Sequence, residues 1–120
     1  MSLSPDQAPR QRGLVLLNKA EKLIVYLSPA IDKVPRHQRY RYAARLEDAL
    51  WALVKQIIEA AASGQKSKVY RVDEQVRYIH ALLRHGAERG LLPPSRVGEA
   101  AKLLQEIGAM IGSWRQRIQG

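Results

Sequence analysis

The chain contains no cysteine, which excludes disulfides, thiolate nucleophiles and thiolate metal sites together and lends secretion no support. No apolar run approaches the ~20 residues that cross a bilayer. The polar stretch from Met1 to Arg12, with two prolines, lacks the apolar centre of a signal peptide. A soluble, cytoplasmic protein that does not enter a membrane is the expectation. Acidic residues are also scarce. Only 11 Asp and Glu stand against 20 Lys and Arg, giving a formal charge of +9 and a pI near 10.3. That excess favours a polyanionic partner: nucleic acid, an anionic surface or an acidic protein.

Catalytic patterns are missing too. Carboxylate-bridged metal bundles use Glu-x-x-His pairs, but neither Glu nor Asp stands three residues ahead of His37, His80 or His85. No nucleophile elbow or glycine-rich phosphate loop is present. Some helical RNA-cleaving domains place an Arg shortly before a His so that both reach the phosphodiester; no arginine stands four to six residues ahead of any of these histidines. The chain therefore carries no recognisable catalytic motif, and neither a metal nor a cofactor is expected; a triad assembled only in space stays open at this point.

What is present is amphipathic helix. At 120 residues the chain is sized for one domain. Residues 1–13 form a polar, basic arm without apolar period, expected to be flexible, and 14–120 a bundle. Helix one is expected over about 14–34, with Leu17, Ala20, Ile24, Leu27, Ile31 and Val34 on its seam. Pro29 should bend it, and Pro35 should end it. Helix two, about 36–63, carries Ala43, Leu46, Leu50, Leu53 and Ile57 on one seam. A second apolar edge of Trp51, Val54 and Ile58 exceeds what one neighbour can cover, which suits the bundle centre or a subunit interface. Helix three, about 68–89, has Val69, Val72, Val76, Ile79 and Leu83 on its seam, with Tyr78 and Leu82 beside it. Helix four, about 94–118, has Val97, Ala101, Leu104, Ile107, Ile111, Trp114 and Ile118. Its Gly98, Gly108 and Gly112 each cost roughly 1 kcal/mol relative to alanine, and close approach of a neighbouring helix would explain them. Short polar links join antiparallel neighbours, so the fold class is all-α, an antiparallel up-down-up-down four-helix bundle.

The densest basic cluster is the break between helices one and two, Val34 to Arg45, where Arg36, Arg39, Arg41 and Arg45 interleave with Tyr40 and Tyr42. Such a mixture suits phosphate contact and base stacking, but it equally suits a solvated helix entrance with tyrosines packing at its rim. Asp73, Arg77, His80 and Arg84 share one stripe of helix three, where the plainest reading is a solvated flank with Asp73 and Arg77 weakly paired. The number of cations without acidic neighbours must create a positive surface, and this excess lifts the functional reading above the solvated one.

Three features carry a resemblance: Pro29 within a helix followed by Val34-Pro35 and Arg39-Tyr40; the run Arg45-Leu46-Glu47-Asp48-Ala49-Leu50-Trp51; and the ending Leu104-x-x-Ile107-Gly108-x-Met110-Ile111-Gly112-x-Trp114. Across about residues 14–118 the chain resembles the four-helix-bundle superfamily of ribosomal-RNA intervening-sequence proteins, and within it the accessory variability proteins (Avd) of diversity-generating retroelements. The resemblance implies a homopentameric barrel. It also implies a non-catalytic partner of a reverse transcriptase that binds RNA or DNA during mutagenic copying. The phosphate contacts it implies lie at the junction of helices one and two and on helix three, where the candidates are Arg36, Arg39, Arg41, Arg45, Lys66, Lys68, Arg71, Arg77 and Arg84. The ring packing it implies falls to the second edge of helix two, Trp51, Val54 and Ile58, with Tyr78 and Leu82 beside the helix-three seam as further interface candidates. A different class of reading is a structural bundle whose basic surface meets an acidic protein.

Overall fold

A computed structural model describes the backbone of residues 8–119 and the side chains of residues 11–118. Four α-helices run over Ala8–Asp32 (α1), Ala44–Ser63 (α2), Lys66–Glu88 (α3) and Pro94–Gln119 (α4), with no strand among the described residues. Of the arm expected over 1–13, residues 1–7 lie outside the described residues and 8–13 belong to α1. Pairs across the bundle run in opposite order along neighbouring helices. Gly13 meets Ala61, Lys19 pairs with Glu106, Tyr26 with Arg96, Ala49 with Gln75, and Tyr42 with Leu82. Each helix is thus antiparallel to both of its neighbours: α1 and α3 each pack on α2 and α4.

The seam residues explain this arrangement. Leu46, Leu50, Leu53 and Ile57 of α2 and Leu104, Ile107 and Ile111 of α4 are wholly buried, each side chain contributing about 1.5–3 kcal/mol. On α1 the buried stripe is wider than the expected seam. Leu16 and Leu23 are wholly buried while Leu17 is only partly so, because a helix wedged between two neighbours needs more than one row of apolar residues. On α4 the same rotation buries Ala100 rather than Ala101. α1 continues through Pro29. Pro29 and Val25 both face outward, so the Val25 carbonyl that loses its usual helical donor stays within reach of water. The Ser28 hydroxyl donates to the Ile24 carbonyl at 2.7 Å.

The turns between helices follow their chemistry. Gly64 and Gly90 have φ of 66° and 68°, the left-handed conformation that ends α2 and α3 at low cost. After Gly90 the Leu91 and Leu92 amides donate back to the Gly86 carbonyl at 2.8 and 3.2 Å, and Leu92 is buried. The corner between α1 and α2 is less regular than one continuous helix from residue 36. Pro35 is extended (φ −53°, ψ 144°), a 3₁₀ turn covers Arg36–Gln38, and a π-helical turn covers Arg39–Ala43 before α2 begins. Tight and then wide winding turns Gln38, Tyr42 and Ala43 inward while Arg36, Arg39, Tyr40 and Arg41 remain outside.

Close helix approach occurs at glycines other than those expected. A side chain at Gly98 or Gly112 would meet nothing, and one at Gly108 would make ordinary contact with Val76. At Gly86 an added Cβ would collide with the Tyr42 hydroxyl and lie 2.8 Å from Tyr42 Cζ and 3.0 Å from Leu92 Cδ1. Gly86→Ala is therefore expected to destabilise the fold by about 1–3 kcal/mol, despite the roughly 1 kcal/mol that alanine adds in a helix. The penalty should shrink in a Tyr42→Phe background, which lacks the nearest atom. Urea unfolding of the four chains checks this, and an equal penalty in both backgrounds would contradict it.

Candidate functional site

Chain direction distributes the basic residues. Arg36, Arg39, Arg41 and Arg45 surround the α1–α2 corner, and antiparallel packing brings Arg84, His85 and Arg89 of the α3 end to the same end of the bundle. Lys66, Lys68 and Arg71 open α3 and so lie at the far end, about 30 Å away along α2 at ~1.5 Å per residue. The cations assigned to one function therefore occupy two regions, with Arg77 between them.

At the corner, among the described residues, none of Arg36, Arg39, Arg41, Arg45 and Arg84 forms an ion pair. Their charge is uncompensated by contact and available to an anion. Tyr40 is 88% exposed among them, whereas Tyr42, two residues on, is buried, so the two tyrosines do not act alike. Burial pushes the Tyr42 phenol up to about 12, so it stays protonated and donates to the Leu82 carbonyl. Tyr42 is thus a fixed wall rather than a stacking platform. Burial, and then the charge of Arg84, lowers the His80 pKa, which favours its neutral ring at neutral pH.

At the far end, Lys66 Nζ and Arg115 Cζ lie 5.8 and 4.8 Å from the centroid of the Tyr70 ring. Burial and then the nearby Arg117 charge lower the Arg12 pKa, which marks a second crowding of cations where α1 begins and α4 ends. Asp73 receives both Arg77 Nη2 and Arg115 Nη1 at 3.0 Å. Arg77 is accordingly the most compensated of the assigned cations.

The assigned interface residues also separate. Trp51 and Ile58 are 52% and 51% exposed and lie with half-buried Val54 along the outer edge of α2. Ile58 joins Leu14 and Leu17 of α1 around an apolar cavity of about 320 Å³. Tyr78 lies on the other side of α2, in a groove with Tyr40, Arg41, Arg45 and Asp48. Leu82 is 9% exposed and sits in the core of its own bundle. Three further residues at the corner carry no sequence signal: Gln38, His85 and Arg89 join Arg41 and Arg45 around a cavity of about 360 Å³. Only the packing of α3 against the start of α2 brings them together.

Among the described residues no group of acidic and histidine side chains could hold a metal ion, and no helix is long and apolar enough to cross a membrane. Residues 14–118 match a family model described as bAvd-like. No curated protein matches the chain.

Proposed function

The chain belongs to the bAvd-like family, accessory proteins of diversity-generating retroelements, and from that membership we propose that it is a non-catalytic cytoplasmic partner of the element's reverse transcriptase. In this role it binds the enzyme and the template RNA or its cDNA while a variable segment is copied. The observation that carries the nucleic-acid half of the reading is the set of unpaired arginines at the α1–α2 corner, Arg36, Arg39, Arg41 and Arg45. Exposed guanidinium groups reach phosphate oxygens in pairs of hydrogen bonds and need no sequence match. Arg84 adds to this end, and Lys66, Lys68 and Arg71 supply a second contact region.

The subunits assemble as a pentameric ring. Trp51, Val54 and Ile58 support this, because an exposed apolar strip on a charged bundle suits a protein partner. Repetition around a ring places five corners on one rim and multiplies a modest cluster into a positive collar. The expected solution mass is five times the 13.5 kDa of one chain, measured by light scattering. The chain should also co-purify with the reverse transcriptase and retain RNA at about 0.1 M salt, where electrostatic contacts still register. A monomeric mass together with no retention of enzyme or RNA would overturn the reading.

A further inference from the structure

We infer that the cavity between the start of α2 and the end of α3 seats a single unpaired nucleotide of an RNA or DNA strand. This deepens the nucleic-acid reading and rests on it. Three arginines line the cavity, Arg41 from the π-helical turn, Arg45 from α2 and Arg89 just past α3, and no carboxylate lines it. The neighbouring groove shares Arg41 and Arg45 but includes Asp48, which makes it the poorer anion site. Guanidinium forks match phosphate oxygens in both geometry and charge.

Gln38 turns an anion site into a nucleotide site. It is 9% exposed, the one buried polar residue among the described residues, and its side-chain amide makes no hydrogen bond there. Among the described residues only Gln56 Oε1 is both sealed from solvent and unpartnered, so the Gln38 amide keeps contact with solvent, and Gln38 lines the cavity. An amide offers donors and an acceptor together, which phosphate does not need and the edge of an unpaired base does. The Tyr42 phenol, held on the Leu82 carbonyl, forms the back wall. His85, an exposed residue that also lines the cavity, holds its ring 5.9 Å from the Tyr42 ring centroid and tilted by 42°, an aromatic surface of the kind on which unpaired bases stack. At about 360 Å³ the space lies near the small end of ligand pockets. A base stacked inside a duplex cannot enter it without leaving the helix.

The test is fluorescence anisotropy of a labelled single strand of about ten nucleotides with the full chain over a range of salt, the fold of each variant being checked by circular dichroism. Arg89→Ala should weaken binding roughly fivefold at about 0.1 M salt and lower the log–log salt slope by about 0.7. Gln38→Ala should weaken binding roughly three- to tenfold with no change in slope, because the amide carries no charge and its contribution is a hydrogen bond to the base. Should that variant fail to fold, Gln38→Glu keeps the side-chain shape, and like-charge repulsion of phosphate should weaken binding at least about tenfold. Uridine monophosphate should displace the strand from the natural chain more readily than inorganic phosphate does, and a duplex of the same length should bind more weakly.

Binding indifferent to Gln38 and Arg89 overturns this inference and leaves the wider reading standing. Competition by inorganic phosphate equal to that by the nucleotide also overturns it, leaving an anion site. Displacement by an acidic peptide but not by the nucleotide overturns it in favour of a protein partner. No strand binding at all overturns both readings.

Discussion

Replacing Arg36, Arg39, Arg41 and Arg45 together by alanine is expected to weaken single-strand binding by several hundredfold at about 0.1 M salt. Each phosphate contact on a single strand adds about 0.7 to the salt slope, which at that salt is about fivefold in affinity, so four lost contacts lower the slope by nearly 3. The four side chains are exposed and make no ion pair among the described residues, so stability should change by no more than about 0.5 kcal/mol each. The matching change at the far end, Lys66, Lys68 and Arg71 to alanine, separates two arrangements of the strand. The ends are about 30 Å apart along α2, several times the ~10 Å screening length. A strand too short to span that distance should occupy the corner and ignore the far-end triple change. A strand long enough to follow the bundle should lose roughly a hundredfold to it. Anisotropy titrations with short and long strands measure both. An unchanged salt slope in the corner variant, or equal losses from the two variants on the shortest strand, would exclude the corner as the principal contact.

The two-ended layout was implicit in the sequence, and the cavity was not. The short polar link Gly64-Gln65 makes α2 and α3 antiparallel neighbours, and that alone separates Lys66 and Lys68 from Arg39 and Arg41 by a helix length. Local pattern was enough for the strongest seams. Leu46, Leu50, Leu53 and Ile57 recur at helical spacing and are wholly buried. It was insufficient for α1, where a trace through Leu17 and Ile24 bypassed Leu16 and Leu23, because periodicity gives the centre of a face and not how many neighbours cover it. The winding of the corner had no signal either. Pro35 announces a stop, but 3₁₀ and π turns differ in hydrogen-bond register, which side-chain types barely encode. Gln38 shows the consequence. In sequence it is a polar residue beside arginines; that winding turns it inward, to the cavity that Leu82 and His85 of α3 also line. Exposed apolar residues were ambiguous for a related reason. Leu82 and Trp51 both flank their seams, yet Leu82 is covered within its own subunit and Trp51 is not.

The two tryptophans turn that difference into the second large expected effect. Trp114→Ala should cost about 3–5 kcal/mol, because the ring is 2% exposed and ranks among the largest wholly buried side chains. Against a total stability of about 5–15 kcal/mol for an ordinary domain, this loss should lower Tm by more than about 10 °C. Trp51→Ala, at 52% exposure, removes little that the single bundle uses, so at high dilution its unfolding should stay within about 1 kcal/mol of the parent chain. If Trp51 lies between subunits, its cost appears elsewhere, as a smaller solution mass and a stronger dependence of Tm on concentration, since assembly stabilises the folded chain by mass action. Thermal unfolding and light scattering over a hundredfold range of concentration separate the two variants. A Trp114→Ala chain as stable as its parent would contradict the packing. A Trp51→Ala chain with unchanged mass and unchanged concentration dependence would remove Trp51 from the subunit interface and leave the exposed edge of α2 open to the reverse transcriptase, the other protein surface the proposed function requires.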